Sequence, residues 1–149
     1  MKRVIAILFV LALGSAKVAS AQDYNWAIGV RGGGVLSGVT VKYNFDPANS
    51  VEGLLDFTQG FNVVALYERH IPVISDGFRF YYGAGVNMGA WHRWGGNPFT
   101  MGIDGIIGLE YKIRTIPLAF SIDYKPLVNF AGRTGFYGLD FGLGVKVAF

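Results

Sequence analysis

Hydrophobic and polar residues alternate through most of the chain beyond the first two dozen positions. This period of two is typical of β-strands with two different faces, because successive side chains point to opposite sides of a strand. Clusters of Gly, Pro, Asn and Asp interrupt the alternation and carry turn chemistry. The pattern predicts one all-β domain of eight strands, with the segments Tyr24–Gly33, Ser37–Phe45, Val51–Gln59, Phe61–His70, Phe78–Trp91, Thr100–Ile113, Leu118–Ala131 and Phe136–Phe149.

The two faces of the predicted strands differ in charge. One face is apolar, and its only charge is Arg69 at a strand end. The charged face carries seven acidic and six basic side chains, which we call the charge network: Arg31, Lys42, Glu52, Asp56, Glu68, Arg79, Asp104, Glu110, Lys112, Asp123, Lys125, Asp140 and Lys146.

The positions of glycine indicate which face is inside. The interior of an eight-stranded barrel is crowded, so large inward side chains need small neighbours. Only Gly53 and Gly105 share the apolar face, whereas ten glycines share the charged one: Gly29, Gly38, Gly83, Gly85, Gly89, Gly102, Gly108, Gly138, Gly142 and Gly144. We therefore expect the charge network to lie in the lumen, where opposite charges neutralise one another and fill the space instead of lining a channel.

The apolar face then needs a lipid environment. The predicted strands are long enough to cross a bilayer with tilt, and an even number of strands closed into a barrel leaves no sheet edge exposed. The pattern therefore predicts an eight-stranded antiparallel up-and-down transmembrane β-barrel. Aromatic residues near the strand ends are expected to form two girdles at the membrane interfaces: Tyr24, Trp26, Phe45, Phe57, Phe61, Phe78, Trp91, Tyr111, Tyr137 and Phe149.

The first 21 residues have the pattern of a signal peptide. Lys2 and Arg3 precede an unbroken apolar run over Val4–Leu13, and small residues stand at Ala19 and Ala21, the positions that a signal peptidase reads. The apolar run is about half as long as a membrane-spanning helix. We expect cleavage after Ala21, with the barrel domain over residues 22–149.

Composition excludes several other classes of protein. The chain is 52% hydrophobic and 15% charged, which does not fit a disordered chain. Without the three basic residues of the leader, ten basic residues face ten acidic ones, so the charge balance does not favour nucleic acid as a partner. The absence of Cys excludes a disulfide scaffold and a lipid-anchor cysteine.

The last strand carries a further pattern. Gly144, Val147 and Phe149 supply a small, an apolar and a terminal aromatic residue, although Gly142 stands where a polar residue is usual. The leader, the eight alternating segments and this last strand together resemble the small OmpA/OmpX-like outer-membrane barrels of Gram-negative bacteria. The resemblance implies an outer-membrane location, recognition of the last strand by the barrel-assembly machinery, contact with membrane lipids and lipopolysaccharide, and a monomer. It implies no specific activity.

Candidate catalytic residues are few. His70 and His92 are the only histidines, and neither has a third ligand at a workable spacing, so we expect no metal and no cofactor. Ser37 and His92 fall at the same predicted rim and could form an acyl-transfer pair similar to that of outer-membrane lipid A enzymes. No motif supports this pair, and we expect no enzyme. Beside a structural or interaction barrel, two alternatives stay open: a soluble periplasmic or secreted ligand-binding barrel, and a lipid-modifying enzyme.

The predicted topology places both ends of the barrel domain at the periplasmic rim. Three turns are then periplasmic, namely Asp46–Ser50, Ile71–Gly77 and Arg114–Pro117, and four connections face outward, namely Gly34–Leu36, Gln59–Gly60, His92–Phe99 and Gly132–Gly135. We expect His70 at the periplasmic rim beside Glu68. We also expect Glu68 and Arg79 at similar depth on neighbouring strands, with Glu110 as another partner for Arg79.

Overall fold

The computed structural model describes residues 25–58, 60–73, 77–91, 99–132 and 134–149. No helix in these ranges is long and apolar enough to cross a membrane. They contain ten strands: β1 (Trp26–Gly33), β2 (Gly38–Asn44), β3 (Asn49–Asp56), β4 (Gly60–Pro72), β5 (Phe78–Trp91), β6 (Phe99–Lys112), β7 (Leu118–Tyr124), β8 (Leu127–Ala131), β9 (Gly135–Tyr137) and β10 (Phe141–Ala148).

The ten strands form one closed antiparallel sheet. Each strand from β1 to β6 pairs with the next, and β10 pairs with β1. Both β7 and β8 pair with β6, so together they make one barrel strand, and β9 and β10 make the last one. The predicted eight-stranded antiparallel barrel is confirmed. Residues 1–21, the predicted signal peptide, lie outside the described ranges.

Proline causes the break between β7 and β8. The pairings Ile107↔Tyr124 and Asp104↔Leu127 belong to the same register, so no residue is inserted between the two strands. Pro126 has no N–H to donate to the ladder, although its carbonyl accepts a hydrogen bond of 2.8 Å from the Gly105 N–H. The predicted segment Leu118–Ala131 is thus one barrel strand.

A bulge separates β9 from β10 and corrects the prediction there. Leu127 pairs with Tyr137, and the Lys125 N–H donates to the carbonyl of Asp140 at 2.8 Å. The three steps from Tyr137 to Asp140 therefore lie opposite only two steps, from Leu127 to Lys125. The inserted residue reverses the alternation. Tyr137 therefore packs against the buried apolar cluster of the lumen and not in an outer girdle. Gly138 does not lie on the inner face, because a Cβ there would meet the ring of Phe136 at 2.5 Å.

The two faces of the wall have the predicted polarity. The outward side chains are mainly apolar and exposed, among them Trp26, Phe45, Phe57, Phe61, Phe78, Tyr111 and Phe149 of the predicted girdles. Tyr24 and the side chain of Trp91 lie outside the described part. Inward glycines have no room for a Cβ: at Gly83 and Gly85 it would meet the backbone of β4, whereas at Gly53 the nearest atom is 3.9 Å away. The crowded face is the charged one, as predicted.

The connections lie at the two ends of the barrel. The terminal end, where β1 begins and β10 finishes, also has the β2–β3, β4–β5 and β6–β7 connections, and the loop end has the β1–β2, β3–β4, β5–β6 and β8–β9 connections. In the β2–β3 turn, Asn49 and the Ala48 N–H donate to the Asp46 carboxylate and hold the pKa of Asp46 below its ordinary value. At the loop end, the Leu36 side chain turns inward and is fully buried inside the barrel.

Candidate functional site

The structure places all thirteen residues of the charge network inside the barrel. Twelve are no more than 5% exposed, and the side chain of Arg79 is 18% exposed. Removing a charge from water costs several kcal/mol unless the charge is paired. The charges of the network are therefore paired between strands. Some pairs join neighbouring strands, and others join strands that the closed sheet brings together across the lumen.

Six of these residues form a cluster towards the terminal end, with Lys42 at its centre. The Lys42 Nζ lies 2.8 Å from Glu68 Oε2, 3.2 Å from Glu110 Oε2 and 3.9 Å from Glu52 Oε2. Lys42 also lies over the ring of Tyr81, 4.8 Å from its centroid. The other contacts in the cluster are Lys146 Nζ to Glu52 Oε2 at 2.6 Å and Arg79 Nη2 to Glu110 Oε1 at 2.7 Å. One lysine thus joins carboxylates from β3, β4 and β6.

The expected pairing of Glu68 with Arg79 is wrong. Glu68 lies opposite Gly83 in the β4–β5 register, whereas Arg79 lies opposite Pro72. The four intervening positions correspond to about 13 Å along a strand. Arg79 instead faces Glu110 directly across the β5–β6 pair, which was the second predicted partner.

His70 lies beside Glu68, but it is buried within the wall instead of exposed at the rim. Its Nε2 is 2.9 Å from Ser50 Oγ and 3.6 Å from Glu68 Oε2. A catalytic triad needs the carboxylate on the nitrogen opposite to the one that contacts the serine. In this group the same nitrogen faces both partners, and Nδ1 has no hydrogen-bond partner among the residues that the structure describes. The geometry does not fit nucleophilic catalysis.

A second set of charges lies nearer the loop end. Arg31 on β1 forms ion pairs with Asp123 on β7 and with Asp140 in the β9–β10 bulge. Lys125 Nζ is 3.4 Å from Asp104 Oδ2, and the other oxygen of Asp104 accepts from the Asn87 amide at 2.6 Å. These contacts join β1, β5, β6 and the last two barrel strands. Lys112 and Asp56, the remaining members of the network, are also buried.

An apolar cluster fills the lumen beside the charges. Its buried members are Leu36, Leu54, Val64, Leu66, Tyr81, Ile106 and Leu127. Most are inward positions of strands, which the alternation predicts. Leu36 is different, because it comes from the β1–β2 connection and no period in the sequence indicates its direction. We call this connection, residues 34–37, the lumen plug.

Polar contacts hold the lumen plug inside. The Asp140 Oδ1 accepts from the N–H of Val35 at 3.0 Å and of Leu36 at 3.4 Å. The Ser37 N–H donates to Asp56 Oδ1 at 2.9 Å, and the Ser37 hydroxyl donates to the Gly33 carbonyl at 2.9 Å. Two carboxylates of the charge network thus have a role that sequence reasoning missed, which is to bind the backbone of the connection that closes the loop end.

The other candidate residues show no assembled catalytic or metal site among the described residues. His92, the proposed partner of Ser37, lies outside the described ranges. No group of His, Asp and Glu side chains in the described ranges is arranged to hold a metal ion. Of the predicted assembly signal, Gly144 lies against the Ser121 hydroxyl, Val147 is buried and Phe149 is exposed. The Phe149 N–H donates to the Trp26 carbonyl at 2.8 Å and so joins the last residue to the first strand.

Comparison with known proteins adds no family. No protein-family model matches the chain, and no curated protein is significantly similar to it. The interpretation of its function therefore depends on the geometry described above.

Proposed function

We propose that this protein is an integral outer-membrane β-barrel with a filled lumen, which has a structural or interaction role in the envelope of a Gram-negative bacterium. The observation that carries the proposal is the polarity of the wall, with thirteen charges inside and a continuous apolar surface outside. A barrel with this polarity is stable in a bilayer, because lipid covers the apolar face and the closed sheet satisfies the backbone hydrogen bonds. A soluble ligand-binding barrel would have the opposite polarity.

The partners in this proposal follow from the wall and the last strand. Membrane lipids cover the exposed apolar side chains, and lipopolysaccharide surrounds the loop end. The barrel-assembly machinery recognises the last strand with Gly144, Val147 and Phe149. We propose a monomer without enzymatic activity, metal or cofactor. The clustered charges pair with one another, and in the buried Ser50–His70 pair the Glu68 carboxylate lies on the nitrogen that also faces the serine.

Membrane location and sidedness are tested together. We expect the protein to sediment with outer membranes and to require detergent for extraction. The variant Thr134→Cys at the exposed loop-end tip should react with an impermeant thiol reagent on intact cells, and Pro47→Cys in the exposed β2–β3 turn should react only after the outer membrane is permeabilised. Recovery of the protein in buffer without detergent contradicts the proposal, and the reverse labelling pattern contradicts the orientation alone.

The filled lumen predicts that the protein is not an open pore. Eight strands enclose a space that side chains can fill, and here the charge clusters, the apolar cluster and the lumen plug occupy it. Purified protein in planar bilayers should give no stable conductance. Steady, reproducible openings of the wild-type protein would show that a continuous water path exists and that the proposed filled lumen is incorrect.

A further inference from the structure

The outer wall contains a groove over strands β2 to β5. Its floor consists of the small outward residues Gly53, Ala65 and Ala84. In the strand registers Gly53 and Ala65 lie between Val41 and Val86, and Ala84 lies opposite Tyr67, so larger outward side chains border the small ones. Trp26 also lines the groove. The groove has a volume of 720 Å³ and an almost entirely apolar lining. We call it the outer groove, and it is a shallow depression that is open to the surroundings of the barrel.

An exposed positive charge, Arg69, lies on the terminal-end side of the outer groove. Arg69 follows Tyr67 by two positions on β4, so both side chains share the outward face, and Arg69 is exposed. Within the described residues it forms no hydrogen bond or ion pair. Asp46 in the β2–β3 turn is near enough to interact with the charge of Arg69, and its carboxylate also accepts hydrogen bonds from Asn49 and Ala48.

We propose that the outer groove and Arg69 together bind one phospholipid, with an acyl chain in the groove and the headgroup phosphate on the guanidinium. The proposal rests on the membrane location proposed above. Charge complementarity supports it, because a guanidinium forms strong paired hydrogen bonds with phosphate. Tyr67 lies on β4 between the groove residue Ala65 and Arg69, where an amphipathic ring suits a membrane interface.

A second copy of the chain is a less suitable occupant. A twofold interface centred on the groove would place the same surface of both copies in contact. Two Arg69 side chains would then approach each other in an apolar interface, where like charges are costly. A phospholipid supplies the opposite charge and the apolar chain in one molecule.

The test is native mass spectrometry of the full mature protein in detergent, titrated with dioleoylphosphatidylglycerol and, separately, with dioleoylglycerol, which has no phosphate. Arg69→Gln should weaken binding of the phospholipid about tenfold and leave dioleoylglycerol unchanged. Gly53→Leu fills the groove, and its Cβ has open space, so the variant should fold and bind both lipids less. Matched controls are Arg114→Gln, which removes another exposed cation, and Gly105→Leu, which adds bulk to the outer face outside the groove.

The outcomes separate this proposal from the one on which it rests. Loss of phospholipid binding alone in Arg69→Gln and of both lipids in Gly53→Leu, with both controls unchanged, supports the lipid site. Equal binding by all variants overturns it, and so do wild-type dimers that Gly53→Leu dissociates. In both of those cases the membrane location stands. A protein that fractionates without detergent overturns both proposals. Heat-modifiable migration on gels verifies that each variant is folded.

Discussion

Replacement of Lys42 by Met is expected to reduce the free energy of unfolding by about 3–5 kcal/mol. Lys42 is fully buried and contacts carboxylates on three other strands. Glu52 keeps Lys146 and Glu110 keeps Arg79 after the substitution, but Glu68 loses its only described lysine or arginine partner. A buried carboxylate is then left without a cation. The measurement is urea unfolding of the protein in detergent micelles or vesicles, followed by tryptophan fluorescence and gel migration.

Two further variants test this explanation. Lys42→Met combined with Glu68→Gln should recover a large part of the lost stability, since the stranded charge is removed together with its partner. Arg79→Gln is the matched control, because Arg79 is partly exposed and should cost less than Lys42. If the losses from Lys42→Met and Glu68→Gln are strictly additive, the two residues are not coupled, and the proposed role of Lys42 as the common partner is wrong.

Substitution of Gly85 by Ala is expected to destabilise the barrel by about 1–3 kcal/mol, as overpacking does in a filled interior. An added Cβ at Gly85 would contact the Ala65 carbonyl and lie 2.9 Å from the Leu66 Cα, so strands β4 and β5 would have to separate. The matched control is Gly53→Ala on the outer face, where the nearest atom is 3.9 Å away. Gly53→Ala should be neutral or stabilise by about 0.5–1 kcal/mol, because Ala has less conformational freedom in the unfolded chain.

The difference between these two glycine variants measures which face is crowded. Both are compared by their urea midpoints under the same conditions, with the slope of the transition as a check that the unfolding is of the same kind. The opposite order of stability, with Gly53→Ala the weaker variant, would mean that the wall packs more tightly outside than inside. That result would contradict the argument from glycine for which face of the wall is inside.

The described contacts distribute stability unevenly around the barrel. The cluster around Lys42 ties β2, β3, β4 and β6 together, and Arg31 ties β1 to the last two barrel strands. Asp140 belongs to both the Arg31 cluster and the hydrogen bonds of the lumen plug. Closure of the loop end is therefore coupled to the closing strand.

Most of the wall could be predicted because its period is two. Once a strand is recognised, each side chain has one of two directions, so the inward position of Lys42 and the outward position of Val41 follow from the same alternation. Glycine then settled the direction of the faces, since only the inner face of a small barrel lacks room for a Cβ. The break at Pro126 does not divide the predicted strand Leu118–Ala131, because its register against β6 is the same on both sides of the proline.

The pairing of charges could not be predicted in the same way. The distance between Glu68 and Arg79 depends on the stagger of β4 against β5 and on the length of the connection between them. Alternation determines the direction of a side chain but not its depth in the barrel. It therefore does not reveal that Glu68 lies at the level of Gly83, four positions away from Arg79. The contact of Lys42 with Glu110 joins strands that are far apart in the sequence, and it exists only because the sheet closes.

By itself, the sequence determined that this protein is an antiparallel barrel with charges on one face, glycine beside them and apolar residues on the other. These properties are local, since they depend on direction and size at each position along a strand. Only the tertiary structure decided that Leu36 turns into the lumen, that the bulge before Asp140 reverses the direction of Tyr137, and that Lys42 serves three carboxylates. Those features depend on the stagger between strands and on the closure of the sheet, which bring together residues that no local pattern relates.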